Sequence, residues 1–380
     1  MHKLRVLHVI NGLGQGGAER QLTNLVVADP KGAAVFSLLR PGVMVDDIRS
    51  AGVPIYSANV QLGMSSCLVR ALRHALHEWQ PDLVLGWMYH GNLIASVTRL
   101  LGSHAPVVWN IRHSLTDIRH EKRGTRMVIR LGRYLTRQPK CIIYNSKVAA
   151  RQHEAIGFCM TRRVVVPNGF DLKRFRPDFC KRVVIRNELN IGPNTLLIGL
   201  MGRSHPMKNH VSWIWALRQL LDEGFDVASI LVGSNMDNPT GSVAQAVQEA
   251  RLNDRVKLLP GTSYPERFYQ AFDLLALPSR WGEGFPNVVG EAMGCGIPVI
   301  ATDIGDVAEI VGNTGFISSS PEPHDLAMAA KAALVKPREE LHQLGAFARE
   351  RILNRYSLKA MTKRYRELTE DIVSTCKVRS

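Results

Sequence analysis

Short apolar runs rich in β-branched residues recur along the chain, and between them apolar residues return every three or four positions. The runs predict strands at residues 5–10, 34–39, 83–88, 107–111, 141–144 and 164–166. The intervening pattern predicts helices such as 18–27 and 68–79. The alternation restarts after residue 190, with strands at 196–201, 228–232, 256–259, 274–277 and 298–301. Helices at 211–221, 241–251 and 287–293 lie between them, and the chain turns mostly helical from His324 onward. Strands without a polar face are covered on both sides, and strand–helix alternation builds a parallel sheet. A chain of 380 residues exceeds what one core usually organises. The expected fold class is therefore α/β, with two doubly wound Rossmann-like domains.

Pro167-Asn168-Gly169 and the polar stretch to Pro177 interrupt the pattern between the two ladders. The expected division is an N-terminal domain over 1–168, a second over 169–355, and a closing helical segment over 356–380. Folds of this kind bind ligands outside the carboxyl ends of their strands, so a cleft between the two domains is the expected place for a site.

Charge separates the two halves. Residues 1–168 carry 22 basic and 9 acidic side chains, while the remainder carries 26 and 24. The first half is thus expected to meet an anionic ligand or surface, and the second to work through particular residues. No apolar run approaches the ~20 residues that span a bilayer. The opening apolar stretch reads as a first strand rather than a secretory signal. The six cysteines form no CxxC pair and no cluster with histidine, which argues against a disulfide framework or zinc site and for a reducing, cytoplasmic setting.

Three loops at predicted strand ends carry candidate chemistry. The first is Asn11-Gly12-Leu13-Gly14-Gln15-Gly16-Gly17. Its glycines allow close backbone approach, and the following helix offers amide groups to an anion. Gly12, Gly14 and Gly17 also fit GxGxxG, so a nicotinamide or flavin site is an alternative. That site needs an acid at the end of the second strand, where Leu38-Leu39-Arg40 stands instead. A tight turn without a ligand is the third reading.

The second loop, Gly202-Arg203-Ser204-His205-Pro206-Met207-Lys208, places two cations before a helix. A departing nucleoside diphosphate gathers negative charge and needs such partners, though two surface cations look the same in sequence. The third runs from Pro278 through Glu283-Gly284-Phe285-Pro286-Asn287 to Glu291. Two carboxylates eight residues apart flank one helix start. Carboxylates accept from sugar and ribose hydroxyls, and helix amides hold oxygens. A capped helix with solvated acids is the plain alternative.

Together GLGQGGAER, VPNGFDLKRF, GRSHPMKNH and EGFPNVVGEAMGCGIPVIATDIGDVAEIVG resemble the family 4 retaining glycosyltransferases. The likeness covers most of the chain in order, and its most specific part is E-x7-E at Glu283 and Glu291. Within the family it looks most like bacterial surface-polysaccharide, O-antigen-type transferases. The resemblance implies the GT-B fold, transfer of a sugar from a UDP- or GDP-sugar to a saccharide or lipid-linked acceptor, and a final helix over about 356–373 that crosses back to the first domain. It implies that Gly16 and Gly17 approach donor phosphate and acceptor, and that Arg203 and Lys208 bind the diphosphate. Glu283, with Gly284, Phe285, Pro286 and Asn287, would hold the donor sugar, and Glu291 the ribose. His113 matches a frequent active-site histidine.

No DxD motif occurs, so neither metal nor other cofactor is expected, with Arg203 and Lys208 taking the ion's electrostatic role. Retention through a covalent carboxylate intermediate and retention by front-face attack both stay open. Besides the transferase, a glucan or sugar-phosphate enzyme of the same fold, a dinucleotide-dependent oxidoreductase and a non-catalytic sugar-binding module remain rivals.

Residues 119–140 read RHEKRGTRMVIRLGRYLTRQPK. Arg126, Arg130, Arg133 and Arg137 share one helical face, and Met127, Leu131, Tyr134 and Leu135 the other. Such a helix either lies on an anionic membrane or packs its apolar side on its own sheet. The first option makes the protein peripheral on the inner membrane face. Nucleic acid is not expected, because no recognised binding module accompanies the charge.

Overall fold

A computed structural model of the chain describes residues 3–40, 42–59 and 66–378. These form two compact units, one of 1–169 plus 358–380 and one of 170–357.

The first unit begins β1 (Val6–Ile10), α1 (Gly17–Ala28), β2 (Ala33–Ser37), α2 (Val45–Ser50), β3 (Ile55–Ser57) and α3 (Ser66–Trp79). It continues β4 (Leu83–Trp87), α4 (Met88–Val97), β5 (Val107–Ile111), α5 (Arg123–Leu135), β6 (Ile142–Tyr144), α6 (Lys147–Ala155) and β7 (Arg163–Val165). All seven strands are parallel, in the order β3-β2-β1-β4-β5-β6-β7. Alternation along each strand sends side chains to opposite faces. Ala34 and Phe36 join Leu68, Leu72 and Ile94 beneath α3 and α4, while Val35 joins Leu22, Val26 and Ile48 beneath α1 and α2.

The second unit begins α7 (Phe179–Glu188), β8 (Leu196–Met201), α8 (His210–Asp222), β9 (Val227–Val232), α9 (Ser242–Glu249), β10 (Val256–Leu259) and α10 (Pro265–Tyr269). It continues β11 (Leu274–Leu277), α11 (Asn287–Gly294), β12 (Val299–Thr302), α12 (Val307–Val311), β13 (Phe316–Ser318), α13 (Pro323–Leu334) and α14 (Arg338–Arg355). Its six parallel strands run β10-β9-β8-β11-β12-β13. Its two ends meet, with the Phe170 amide donating to the Tyr356 carbonyl at 2.9 Å and Phe170 bridging to Ser357.

The closing helix α15 (Leu358–Val378) belongs to the first unit, where Met361, Tyr365 and Val373 enter the core beside α1. The Tyr365 ring stacks on Trp87 at 6.2 Å. Its hydroxyl accepts from Arg112 Nη1 at 2.7 Å and Asn110 Nδ2 at 2.8 Å. Arg112 also donates to the Asn168 side chain. Burial lowers the Arg112 pKa, while the Tyr365 oxygen opposes that shift. Beneath it, Trp87 Nε1 donates to His8 Nδ1 at 3.1 Å, and burial holds His8 neutral, with its pKa pushed down to about 3.

The predicted strands all form, with ends moved by one or two residues. Two strands, β3 and β13, were not expected. Each lies at an edge of its sheet and has only two apolar residues before a serine, Ile55-Tyr56-Ser57 and Phe316-Ile317-Ser318, too few to stand out as a run.

The basic segment differs more. A short 3-10 turn at Ile118–His120, closed by the Asp117 side chain, precedes α5, and Arg137 lies beyond the helix end. Of the four apolar residues expected to share a face, only Leu135 packs inward. Ile129 and Gly132 are buried, whereas Met127 (69% exposed), Leu131 (53%) and Tyr134 (72%) face solvent. Packing uses Ile129 and Gly132, flanked by partly buried Val128 and Leu135, so Met127, Leu131 and Tyr134 share the outer surface with Arg130 and Arg133. The Arg133 guanidinium lies 4.6 Å from the Tyr134 ring centroid.

Candidate functional site

In the second unit the two C-terminal-half loops are joined by backbone and side-chain hydrogen bonds. Asn209, in left-handed conformation before α8, donates to the carbonyls of Pro278 at 3.0 Å and Pro321 at 2.7 Å. The Arg280 amide donates to the Met207 carbonyl at 2.8 Å, and Arg280 Nε to Asn209 Oδ1 at 2.7 Å. These contacts fix the 206–209 turn beside the loop after β11. They bring Lys208 Nζ to 2.6 Å from Glu283 Oε1, a pair whose side chains are 14% and 9% exposed. Such a pair is screened little by solvent, and each charge stabilises the other.

Ser279 Oγ donates to the same Glu283 oxygen at 2.7 Å, and Thr302 Oγ1 donates to the Ser279 carbonyl at 2.6 Å. Gly305 stands in left-handed conformation, with φ of 65°, against the backbone of Glu283 and Gly284. The Asp306 amide donates to the Gly284 carbonyl at 3.0 Å. The loop carrying Glu283 is thus clamped between the end of β12 and the turn holding Lys208.

Arg203 lies at the end of β8, its side chain exposed and without a hydrogen bond or ion pair among the described residues. The cations Arg203 and Lys208, together with burial, hold the His205 pKa down; burial is the larger cause. Pro286 precedes α11 and makes no side-chain cap hydrogen bond to it. The Phe285 ring packs on Phe170 at 6.3 Å and Tyr356 at 5.1 Å, so it serves the core and leaves only its backbone to a ligand. Glu291, one turn into α11, is 9% exposed, and its Oε2 accepts from Tyr269 OH at 2.9 Å. Sequence reading did not single out Ser279, Thr302, Gly305 or Tyr269. Ser279 stood inside the motif-bearing segment, but Tyr269 is 22 residues from its partner and no spacing rule connects them.

The first unit holds the other candidates. Gly16 and Gly17 are exposed at the start of α1, and Glu19 folds back over Gly16. Burial raises the Glu19 pKa. His113 follows β5, and its Nε2 lies 2.7 Å from Glu121 Oε1. That hydrogen bond lowers the Glu121 pKa. The edge of the His113 ring meets Tyr89 at 6.3 Å. Tyr89 OH sits 2.8 Å from His153 Nε2, while His153 Nδ1 faces the Ala149 carbonyl at 2.7 Å. A carbonyl only accepts, so Nδ1 carries the proton and Tyr89 donates. Among the described residues no three His, Cys, Asp or Glu side chains stand together to hold a metal ion.

Two cations and two carboxylates held by hydroxyls, on loops and a helix that follow parallel strands, suit a polyhydroxylated anion such as a nucleotide sugar. Residues 15–174 match the profile of Glycosyltransferase Family 4, and residues 182–351 that of Glycosyl transferases group 1. The chain belongs to glycosyltransferase family 4. It is 34% identical over 54% of its length to the D-inositol 3-phosphate glycosyltransferase of Nocardia farcinica, but spans only about half, 47%, of that protein. Over 93% of its length and 96% of the relative it is 27% identical to the putative glycosyltransferase EpsF of Bacillus subtilis. The structure of Anabaena Alr3699/HepE in complex with UDP and glucose superposes with a TM-score of 0.83 at 22% identity, covering 97% of this chain and 100% of that one. The fold of this family 4 member is GT-B, and the relatives it matches are named as glycosyltransferases. Neither the oxidoreductase nor the non-catalytic module is supported by these matches.

Proposed function

We propose that this family 4 glycosyltransferase moves a hexose from a UDP- or GDP-sugar, with retained anomeric configuration, to a hydroxyl of a lipid-linked saccharide in cell-surface polysaccharide synthesis. The observation that carries the donor side is the buried Lys208–Glu283 pair, at 2.6 Å, with exposed Arg203 on the same loop as the lysine. Glu283 accepts from the sugar hydroxyls and Glu291 from the ribose. As the sugar C1 parts from the diphosphate oxygen, Arg203 and Lys208 take up the growing charge in place of a metal ion. The acceptor oxygen bonds to C1, and its proton passes to the departing phosphate.

Thermal shift with UDP, GDP and NAD, followed by turnover with and without EDTA, tests this reading. Stabilisation by one of the two nucleoside diphosphates, none by NAD, and a rate unchanged in chelator are expected. Activity lost in EDTA and restored by manganese would remove the metal-free account. An inverted product in proton NMR of the anomeric centre would remove retention.

The acceptor side rests on the outer face of α5, where Met127, Leu131 and Tyr134 stand among Arg130 and Arg133. Apolar side chains that enter the headgroup boundary, flanked by arginines, suit an anionic lipid surface. In this reading the enzyme works peripherally on the inner membrane face; no described helix is long and apolar enough to cross a membrane. Sedimentation with vesicles containing phosphatidylglycerol is expected to carry the protein down, and vesicles of phosphatidylcholine alone are not. Arg130→Glu with Arg133→Glu should leave it in the supernatant. Binding that survives this change sinks the surface. The Nocardia relative is named for D-inositol 3-phosphate, and transfer to that compound in place of a lipid-linked saccharide would overturn this acceptor class.

A further inference from the structure

We propose that two buried hydroxyls, those of Ser279 and Tyr269, are positioning residues, each fixing one carboxylate that receives the donor. This rests on the reading that Glu283 meets the donor sugar and Glu291 the ribose. Both carboxylates lie almost wholly within the second unit, at 7% and 9% exposure, yet a carboxylate rotates about its last bond unless something holds it. A ligand that must stop this rotation binds less tightly than one meeting a preset acceptor.

For Glu283 the arrangement is asymmetric. Oε1 accepts from both Ser279 Oγ at 2.7 Å and Lys208 Nζ at 2.6 Å, and Oε2 accepts from none of the described residues. Ser279 is itself fully buried and tied to β12 through Thr302. The lysine has three N–H groups and is drawn toward the diphosphate when donor binds. The serine has one O–H and no competing anion, so it keeps the carboxylate plane in place while Lys208 shares its charge. For Glu291, Tyr269 OH donates to Oε2 at 2.9 Å. The tyrosine ring is 1% exposed and set edge-on between Phe175 and Phe272, each at 6.0 Å. It therefore has little freedom to swing, and burial together with the nearby carboxylate keeps its hydroxyl protonated as a donor.

The two hydroxyls have separable consequences, because one carboxylate meets the nucleoside and the other the sugar. Calorimetric titration of the full chain with UDP and 2′-deoxyuridine diphosphate, or the guanosine pair if GDP is the tighter ligand, reads the first. The unmodified chain is expected to prefer the ribonucleotide and Glu291→Ala to lose that preference. Tyr269→Phe, which keeps the ring, should weaken UDP about fivefold to tenfold while changing the deoxy form less than twofold. Ser279→Ala should bind UDP as the unmodified chain does and turn over the UDP-sugar about tenfold more slowly at saturation.

If the unmodified chain shows no ribose preference, the reading of Glu291 falls, and the Tyr269 role with it. If that preference exists and vanishes in Glu291→Ala but persists in Tyr269→Phe, the positioning role of the tyrosine is wrong while the site stands. Equal weakening of both nucleotides, with a lowered Tm, marks the tyrosine as structural only. Loss of UDP binding in Ser279→Ala, or an unchanged rate, overturns the serine's role.

Discussion

Lys208→Ala is expected to lower kcat at saturating donor by about 100- to 1000-fold, with the chain still folded. Loss of one preorganised charge at a departing anion typically removes about 3–4 kcal/mol of transition-state stabilisation, which is that factor. A second effect accompanies it. Glu283 loses its 2.6 Å partner and keeps only Ser279 in a largely buried place. Removing one partner of a buried ion pair costs about 3–5 kcal/mol of stability. The two effects are told apart by adding Glu283→Gln to Lys208→Ala. A lysine that serves only to neutralise Glu283 gives a double variant with recovered Tm and the rate of Glu283→Gln alone. A lysine that acts on the diphosphate gives recovered Tm and a rate well below that of Glu283→Gln alone. Steady-state kinetics and thermal melts of the three variants read this out, and a kcat for Lys208→Ala within threefold of the unmodified enzyme would exclude it from the chemistry.

Gly305→Ala is expected to lower stability by roughly 2–4 kcal/mol and activity by at least about 100-fold. Its φ of 65° is one contribution, about 1 kcal/mol for a residue with a Cβ. The larger one is steric, because a Cβ there meets the carbonyl oxygens of Glu283 and Gly284, which are backbone and cannot swing aside. The loop must move, and with it Glu283 leaves Lys208 and Ser279. Gly224→Ala is the matching control, since Gly224 also has positive φ, at 89°, but has open space where the methyl would stand. It should cost about 1 kcal/mol and leave turnover alone. Equal effects of the two substitutions on kcat, measured with folded protein, would show that Gly305 does not support the site.

The interior strands were legible because burial on both faces leaves unbroken apolar runs. The edge strands β3 and β13 were not, since each offers only two apolar residues before a serine, Ile55-Tyr56-Ser57 and Phe316-Ile317-Ser318, where equally short β7 runs into Val164-Val165-Val166. For α5 the sequence carried the helix but not its orientation. Apolar and basic residues alternate by quadrant there, and only contact with β6 and α4 decides that Ile129 and Gly132 turn inward. In the second unit, charged residues at strand ends stood out because they interrupt an apolar pattern. Their mutual geometry did not, for Lys208 and Glu283 are 75 residues apart and meet through Asn209 and Arg280. Residues that act by holding others, such as Tyr269, look like ordinary core in sequence.

The first unit is interrupted, with residues 358–373 supplying Met361, Tyr365 and Val373 to a core begun at residue 4. During synthesis that core stays open, with Trp87 lacking its stacking partner and Arg112 its phenolic acceptor, until more than 180 further residues have emerged. The second unit is continuous and its ends already touch, so it can close while the first still waits. Order of completion thus runs against order of translation, and a ribosome stalled near codon 357 would release a finished second half attached to an unsealed first.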